Sequence, residues 1–238
     1  MLIGGLQKVS LIDFPGKIAS VVFTQGCNFR CPFCHNGTLV APDKFGQTLP
    51  EEEVLAYLYA RKEQVEGVVL SGGEPTLQKD LKHFLQEVKA LNFCTKLDTN
   101  GTRPGIVADL VGTSLVDFIA MDIKHDFAKY DLACGTRVLV KNIVASIDFI
   151  KTCGIDYEFR TTVVPGIHSG EDIVSIAKNI GGAKKFVLQE FVADHALDSA
   201  LRCEVKDSLF SPARRAELES IENECLRHVA SFEVRFAH

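Results

Sequence analysis

Short β-branched apolar runs alternate with amphipathic segments along most of this chain, and that alternation limits its fold more than any other feature. Residues 18–24 (IASVVFT) read as a buried parallel strand. Residues 50–66 read as a helix whose first turn carries Glu51, Glu52 and Glu53, charges suited to the positive end of a helix dipole. The unit then recurs, with strands expected over 67–70, 93–97, 116–121, 157–164 and 185–190. Helices are expected over 79–91, 106–111, 142–152 and 171–180, with a last one over 212–229. This pattern predicts an α/β fold, a parallel sheet covered by outer helices through right-handed crossovers. Six units are too few for an eight-stranded barrel, which leaves an open or partial barrel and a doubly wound sheet. In either, functional loops gather at the C-terminal ends of the strands. No Pro/Gly/Ser-rich linker interrupts the alternation, so one domain over 1–238 is expected, with 1–16 and 192–238 as extensions.

Charge and hydropathy narrow the partners. With 26 Lys and Arg against 31 Asp and Glu the formal charge is −5, which gives no electrostatic reason to expect a nucleic acid. The apolar runs fall far short of the ~20 residues of a membrane helix, and the first residues lack a signal-peptide pattern. A cytoplasmic chain that neither spans a membrane nor binds nucleic acid is expected. Cytoplasmic thiols stay reduced, so the eight cysteines are read for metal or redox chemistry rather than for disulfides. Cys27, Cys31 and Cys34 cluster; Cys94, Cys134, Cys153, Cys203 and Cys225 are scattered and read as core thiols.

The clustered three follow the first strand in the loop GCNFRCPFCHNG, a C-x3-C-x2-C arrangement. Such spacing lets one loop present thiolates to different irons of a cubane. Three ligands for four irons leave one iron open to a non-protein ligand, by the logic that separates open from closed metal sites. Other readings of the same residues are a haem-attachment C-x-x-C-H, a dithiol Cys31-Pro32-Phe33-Cys34, and a Cys3His zinc site completed by His35. A zinc ribbon normally brings a second paired knuckle, and the sequence has none.

Strand ends further along the chain carry polar groups at matching places. Gly72-Gly73-Glu74-Pro75 closes the second strand, where glycines let backbone approach a ligand and Glu74 offers an acceptor for an ammonium group. Asp98 and Thr99 end the third strand in Asp98-Thr99-Asn100-Gly101, a segment that also reads as a plain turn. Asp122 and Lys124 follow the fourth strand and alternate to one side, with Ile123 opposite. Arg160 is a cation within the fifth strand, placed for a carboxylate contact or a structural ion pair.

Strand, then C-x3-C-x-aromatic-C, resembles the defining loop of the radical S-adenosylmethionine (radical SAM) superfamily, with Phe33 as the aromatic residue. The resemblance implies a partial (β/α)6 barrel holding one 4Fe-4S cluster on Cys27, Cys31 and Cys34. It implies that S-adenosylmethionine chelates the open iron, with Phe33 by the adenine, the Gly72-Gly73-Glu74 element at the amino group and Asp98 and Thr99 toward the ribose. Asp122, Lys124 and Arg160 are implied as further SAM contacts. No second cluster is expected, because residues 36–50 contain no cysteine.

The segments Ser10-Leu11-Ile12-Asp13-Phe14-Pro15-Gly16-Lys17 and Cys34-His35-Asn36 look like the longer-form activating proteins of anaerobic ribonucleoside-triphosphate reductase. Leu188-Gln189-Glu190-Phe191 departs from the Pro-Tyr-His that formate-lyase activases tend to carry there. The family implies one-electron reduction by a flavodoxin or ferredoxin-type donor, reductive cleavage of SAM to a 5′-deoxyadenosyl radical, and removal of a glycine Cα hydrogen from a partner enzyme. The alternatives are an activase of another glycyl-radical enzyme such as pyruvate formate-lyase, and a small-molecule enzyme of the deazapurine synthase kind. A non-enzymatic zinc or electron-transfer module is the third.

Overall fold

Continuous burial along the central strands, on both faces, decides the architecture, which a computed structural model describes for residues 1–194, 196–202 and 208–236. Cys203, read as a core thiol, lies outside the described residues, as does part of the C-terminal extension. Eight strands pair in chain order in one sheet: β1 (Ile3–Ser10), β2 (Ala19–Thr24), β3 (Gly67–Gly72), β4 (Cys94–Thr99), β5 (Phe118–Asp122), β6 (Asp156–Val163), β7 (Phe186–Glu190) and β8 (Phe232–Arg235). β2 to β8 run parallel, and β1 pairs antiparallel with β2.

The helices are α1 (Gly37–Val40), α2 (Glu51–Arg61), α3 (Leu81–Ala90), α4 (Pro104–Gly112), α5 (Tyr130–Cys134), α6 (Val140–Thr152), α7 (Gly170–Asn179) and α8 (Arg215–Cys225). α7 shows why they form where they do. Ser169 and Asp172 make a reciprocal capping box, and Ile173, Ile176 and Ala177 put one apolar stripe against the sheet.

Two expectations change. The segments read as extensions contribute sheet: β1 lies within residues 1–16 and β8 beyond residue 191, so the six expected parallel strands gain one strand at each edge. The last helix is also shorter than expected, because residues 212–214 form a 3-10 turn and α8 ends at Cys225.

The outer face is apolar. Val68, Leu70, Leu97, Ile119, Met121 and Phe159 meet Phe84, Leu85, Ile143 and Ile147 of the helices in one buried core. The inner face changes character along its length. Phe14 plugs its lower end against Ala19, Val21 and Val69. Higher up, the alternate positions are Ser71 on β3, Lys96 and Asp98 on β4, Asp122 on β5, and Glu158 and Arg160 on β6. Helices therefore cover one face of the sheet, and charge is sealed within the other.

Candidate functional site: a cavity over three cysteines

The cysteine loop leaves β2 in a conformation held by backbone bonds on both sides. Gln25 N donates to Leu2 O and Gly26 N to Leu39 O, while Gly26 takes φ +96, which a side chain would resist. Cys34 N donates to Cys31 O at 3.0 Å, and Arg30 Nη1 donates to Cys27 O at 2.7 Å. The three thiols consequently face one cavity of about 330 Å³, which Phe33, Gly72, Gly73, Glu74, Asp98, Thr99, Asp122, Lys124 and Arg160 also line.

The two glycines serve the protein's own backbone. A Cβ on Gly72 would lie 2.4 Å from Thr24 N, and one on Gly73 would lie 2.1 Å from Gly26 O. The end of β3 is pressed onto the start of the cysteine loop, with Gly73 N donating to Thr24 O and Glu74 N to Gly26 O. The sequence reading assigned that close approach to a ligand; the first partner of these glycines is the loop that carries Cys27.

Glu74 likewise has internal partners. Its Oε1 accepts from Thr76 N, Thr76 Oγ1 and Thr99 Oγ1, and its Oε2 accepts from Asn100 N at 2.6 Å. Burial raises this carboxyl, and those bonds oppose the rise. The carboxylate ties the ends of β3 and β4 together, and Thr99 is spent on the same knot. Asn100 also reaches Asn28 Oδ1 at 2.9 Å, so the knot extends to the cysteine loop.

Across the cavity runs a chain of charges. Arg160 Nε donates to Asp122 Oδ1 at 2.9 Å, Arg160 Nη1 to Asp98 Oδ2 at 3.3 Å, and Lys124 Nζ to Asp122 Oδ2 at 3.0 Å. Lys96 Nζ lies 3.0 Å from Asp98 Oδ1. Burial alone would raise the Asp122 carboxyl, but Arg160 and Lys124 hold it well below the usual range. Arg160 is raised against its own desolvation by Asp122 and Asp98.

Lys96, Asp13 and Asn100 were missed as site residues. The signal for Lys96 was present, since it precedes Asp98 by two and shares its inward direction. Asp13, by contrast, reaches the cavity from the segment read as an extension.

Burial pushes the Cys27 thiol up to about 12 and raises Cys34. A metal cluster held by these thiols would have to displace protons from buried sulfur. Among the described residues no three His, Cys, Asp or Glu side chains are arranged around a single metal ion. Three thiols spread around one cavity instead suit a multinuclear cluster, whose irons each take one thiolate. The scattered cysteines divide: Cys134 and Cys225 are buried in the core, as expected, and Cys94 and Cys153 are half-buried.

The model of the Radical SAM superfamily matches residues 21–180, and the chain belongs to that superfamily. Its relatives include activating enzymes. A protein of Methanocaldococcus jannaschii described as a glycyl-radical enzyme activating enzyme is 36% identical over 209 residues, 84% of each chain. The pyruvate formate-lyase-activating enzyme of Clostridium pasteurianum is 32% identical over 203 residues, 78% of this chain and 80% of that one. A GTP 3′,8-cyclase of Helicobacter pylori is 30% identical over 187 residues, 75% of this chain but 56% of its own.

Among solved structures, Streptococcus suis SuiB bound to S-adenosylmethionine superposes with TM-score 0.67 at 17% identity, over 92% of this chain and 50% of SuiB. A domain of pyruvate-formate lyase-activating enzyme from Bacteroides vulgatus superposes with TM-score 0.54 at 15% identity, over 72% of this chain and 99% of that domain. The fold is thus shared with radical SAM proteins, and this chain spans about half the length of SuiB. Among the described residues no helix is long and apolar enough to cross a membrane.

Proposed function

We propose that this chain is an activating enzyme that generates a glycyl radical on anaerobic ribonucleoside-triphosphate reductase. The observation that carries the macromolecular substrate is a second cavity of about 740 Å³. It shares Asp13, His35, Arg160, Thr162 and Gln189 with the cysteine cavity and extends past Pro15 on one side to Val234 and Phe236 on the other. β1 and β8 do not pair among the described residues, so this chamber lies where the sheet stays open. A polypeptide loop can enter there and bring a glycine Cα to the cysteine cavity.

Cys27, Cys31 and Cys34 hold the 4Fe-4S cluster in this reading. With S-adenosylmethionine bound, the cluster would supply the one-electron chemistry, a reductive S–C5′ cleavage that would furnish the radical needed to take the glycine hydrogen. The protein's part is positioning and the exclusion of water. Phe33, fixed edge-on to His168 at 6.0 Å, offers an apolar face to the adenine. The backbone of Gly72 and Gly73 faces the methionine end, held rigid by Glu74. Asp98, Asp122, Lys124 and Arg160 offer polar groups to the ribose, ammonium and carboxylate. Their mutual pairing keeps these charges oriented before the cofactor arrives.

The electron donor is an acidic carrier of the flavodoxin or ferredoxin type. Arg30, Arg103, Arg137 and Lys141 are exposed around the outer side of the cysteine loop. Their segments are joined there, since Arg30 N donates to Cys134 O, and Thr102 accepts from both Asn28 and Asn142.

The deciding experiment mixes the reconstituted, reduced protein with S-adenosylmethionine and the reductase of the same organism. A glycine-centred radical signal is expected in the electron paramagnetic resonance spectrum. Formation of 5′-deoxyadenosine without such a signal on any glycyl-radical partner would transfer the protein to the small-molecule class. A colourless protein that binds zinc and leaves S-adenosylmethionine intact would remove the enzymatic reading altogether.

A further inference from the structure

Thr162 and Gln189 line both cavities, and neither makes a side-chain hydrogen bond or ion pair among the described residues. That sets them apart from the charges around them. Lys96 lies by Asp98, Lys124 by Asp122, Arg160 by Asp122 and Asp98, Lys185 by Glu233, and Arg235 by Glu158. Each lysine and arginine that lines the two cavities therefore already has a carboxylate. What the walls have left to offer an incoming group at their junction is neutral.

Strand geometry puts the two residues together. Alternation along β6 makes Thr162 the next inward position after Arg160, and Gln189 of β7 is its direct partner in the parallel register. Both are half-buried, where the cysteine cavity opens into the larger chamber. The end of β7 is fixed there, since Phe191, two residues on, is buried and stacks on His35 of the cysteine loop at 5.5 Å. Gln189 belongs to the Leu188-Gln189-Glu190-Phe191 stretch, and none of the cofactor contacts proposed above involves it.

Chemistry then selects the ligand. A carboxamide donates from Nε2 and accepts at Oε1, so it can pair with the C=O and the N–H of a main-chain segment, and the Thr162 hydroxyl adds a donor or acceptor beside it. A phosphorylated small molecule would need cations in excess of carboxylates, which these walls do not have. Main-chain hydrogen bonds are what an extended peptide offers whatever its side chains. We propose that Gln189, with Thr162 beside it, binds a main-chain peptide group next to the target glycine and holds that loop extended at the junction of the two cavities. The proposal rests on the reading of this chain as an activating enzyme with a polypeptide substrate.

The test uses the anaerobically reconstituted protein with S-adenosylmethionine and a labelled synthetic peptide spanning the radical glycine of the reductase, with binding read by fluorescence anisotropy. A series of ester analogues replaces each amide near that glycine in turn, which removes one N–H and weakens one carbonyl acceptor. Wild type is expected to bind one of these esters on the order of tenfold more weakly than the amide peptide, the loss that neutral hydrogen bonds carry. Gln189→Leu is expected to bind the amide peptide more weakly by a similar factor and to treat that ester and the amide alike. Thr162→Val should show a smaller loss.

A wild type indifferent to every ester, or a Gln189→Leu protein that penalises the same ester as wild type does, would overturn the proposal. If Gln189→Leu does not load iron, Gln189→Ala takes its place, and if neither loads, the wild-type ester series decides. A wild type that raises the glycine-centred radical on the whole reductase yet ignores the peptide would overturn this proposal alone. Failure of the underlying reading looks different, since no such radical then forms on any glycyl-radical partner.

Discussion

Arg160 on β6 reaches Asp122 on β5 at 2.9 Å, and the same guanidinium continues to Asp98 on β4 at 3.3 Å. One planar cation thus joins three neighbouring strands over the cavity, a span that the point charge of lysine does not reproduce. Arg160→Ala leaves two carboxylates short of a partner in a largely desolvated site. It should cost about 3 kcal/mol, the range for breaking one side of a buried pair. Arg160→Lys should recover only part of that. The pH response follows in sign. Asp122 is held below its unfolded value in the fold, so its stabilising contribution is present above about pH 4 and lost as pH falls below it. In Arg160→Ala the Asp122 carboxyl loses the partner that holds it down, the gap to its unfolded value narrows, and this acid-side loss should be smaller than in wild type. Urea unfolding of the three proteins between pH 3 and 7 checks both claims, and an unchanged profile in Arg160→Ala would contradict them.

The contact between Gly73 and Gly26 makes a sharper prediction about the proposed cluster site. A methyl group at residue 73 meets the Gly26 carbonyl at 2.1 Å, a backbone atom that cannot swing aside. Gly73→Ala must therefore displace the start of the cysteine loop, one residue before Cys27. Iron per chain after reconstitution should fall well below that of wild type, while the helical circular dichroism is kept, since the covering helices lie on the other face. Normal iron uptake would show that the loop tolerates a shift.

Much of this was legible in the sequence, for identifiable reasons. β2 to β7 carry runs long and apolar enough on the outer face to be seen, and the cysteine spacing is local. β1 and β8 were not legible, because both are edge strands without a continuous apolar run. β1 contains Gly4 and Gly5 with exposed Gln7 and Lys8, while β8 is half charged. Glu74 lines the cavity, but its partners Thr99 and Asn100 were not legible, since they meet it only through tertiary folding.

His168 should make stability depend on pH between about 4 and 6.5. Val164 N donates to its Nδ1 at 3.1 Å, its Nε2 bonds Lys124 O at 2.9 Å, and its ring stacks on His125 at 4.8 Å. Nδ1 must keep its lone pair to accept that bond, which fixes the neutral tautomer. Burial, with the charge of His125 assisting, pushes His168 down to about 4. The unfolded chain then binds the proton first, so stability is complete above about pH 6.5 and declines as pH falls toward 4, by about 2 kcal/mol at pH 5. Urea unfolding at pH 7 and pH 5 should show this drop in wild type and a smaller one in His168→Gln. Equal drops would assign the dependence to other groups.

The cationic rim outside the cysteine loop predicts how the electron arrives. Arg137 in the stretch before α6 and Lys141 in its first turn are both exposed, and no carboxylate pairs with them among the described residues. They belong to a protein of net charge −5, so an acidic carrier meets attraction here against a repulsive background. Charge at such a rim acts mainly on encounter, and salt screens it. Arg137→Glu with Lys141→Glu should slow cluster reduction by reduced flavodoxin on the order of tenfold at low ionic strength. It should also flatten the dependence on salt and leave reduction by dithionite unchanged. Stopped-flow absorbance of the cluster reads all three. A double variant reduced by flavodoxin as fast as wild type, with the same salt dependence, would move the donor's docking site elsewhere on the surface.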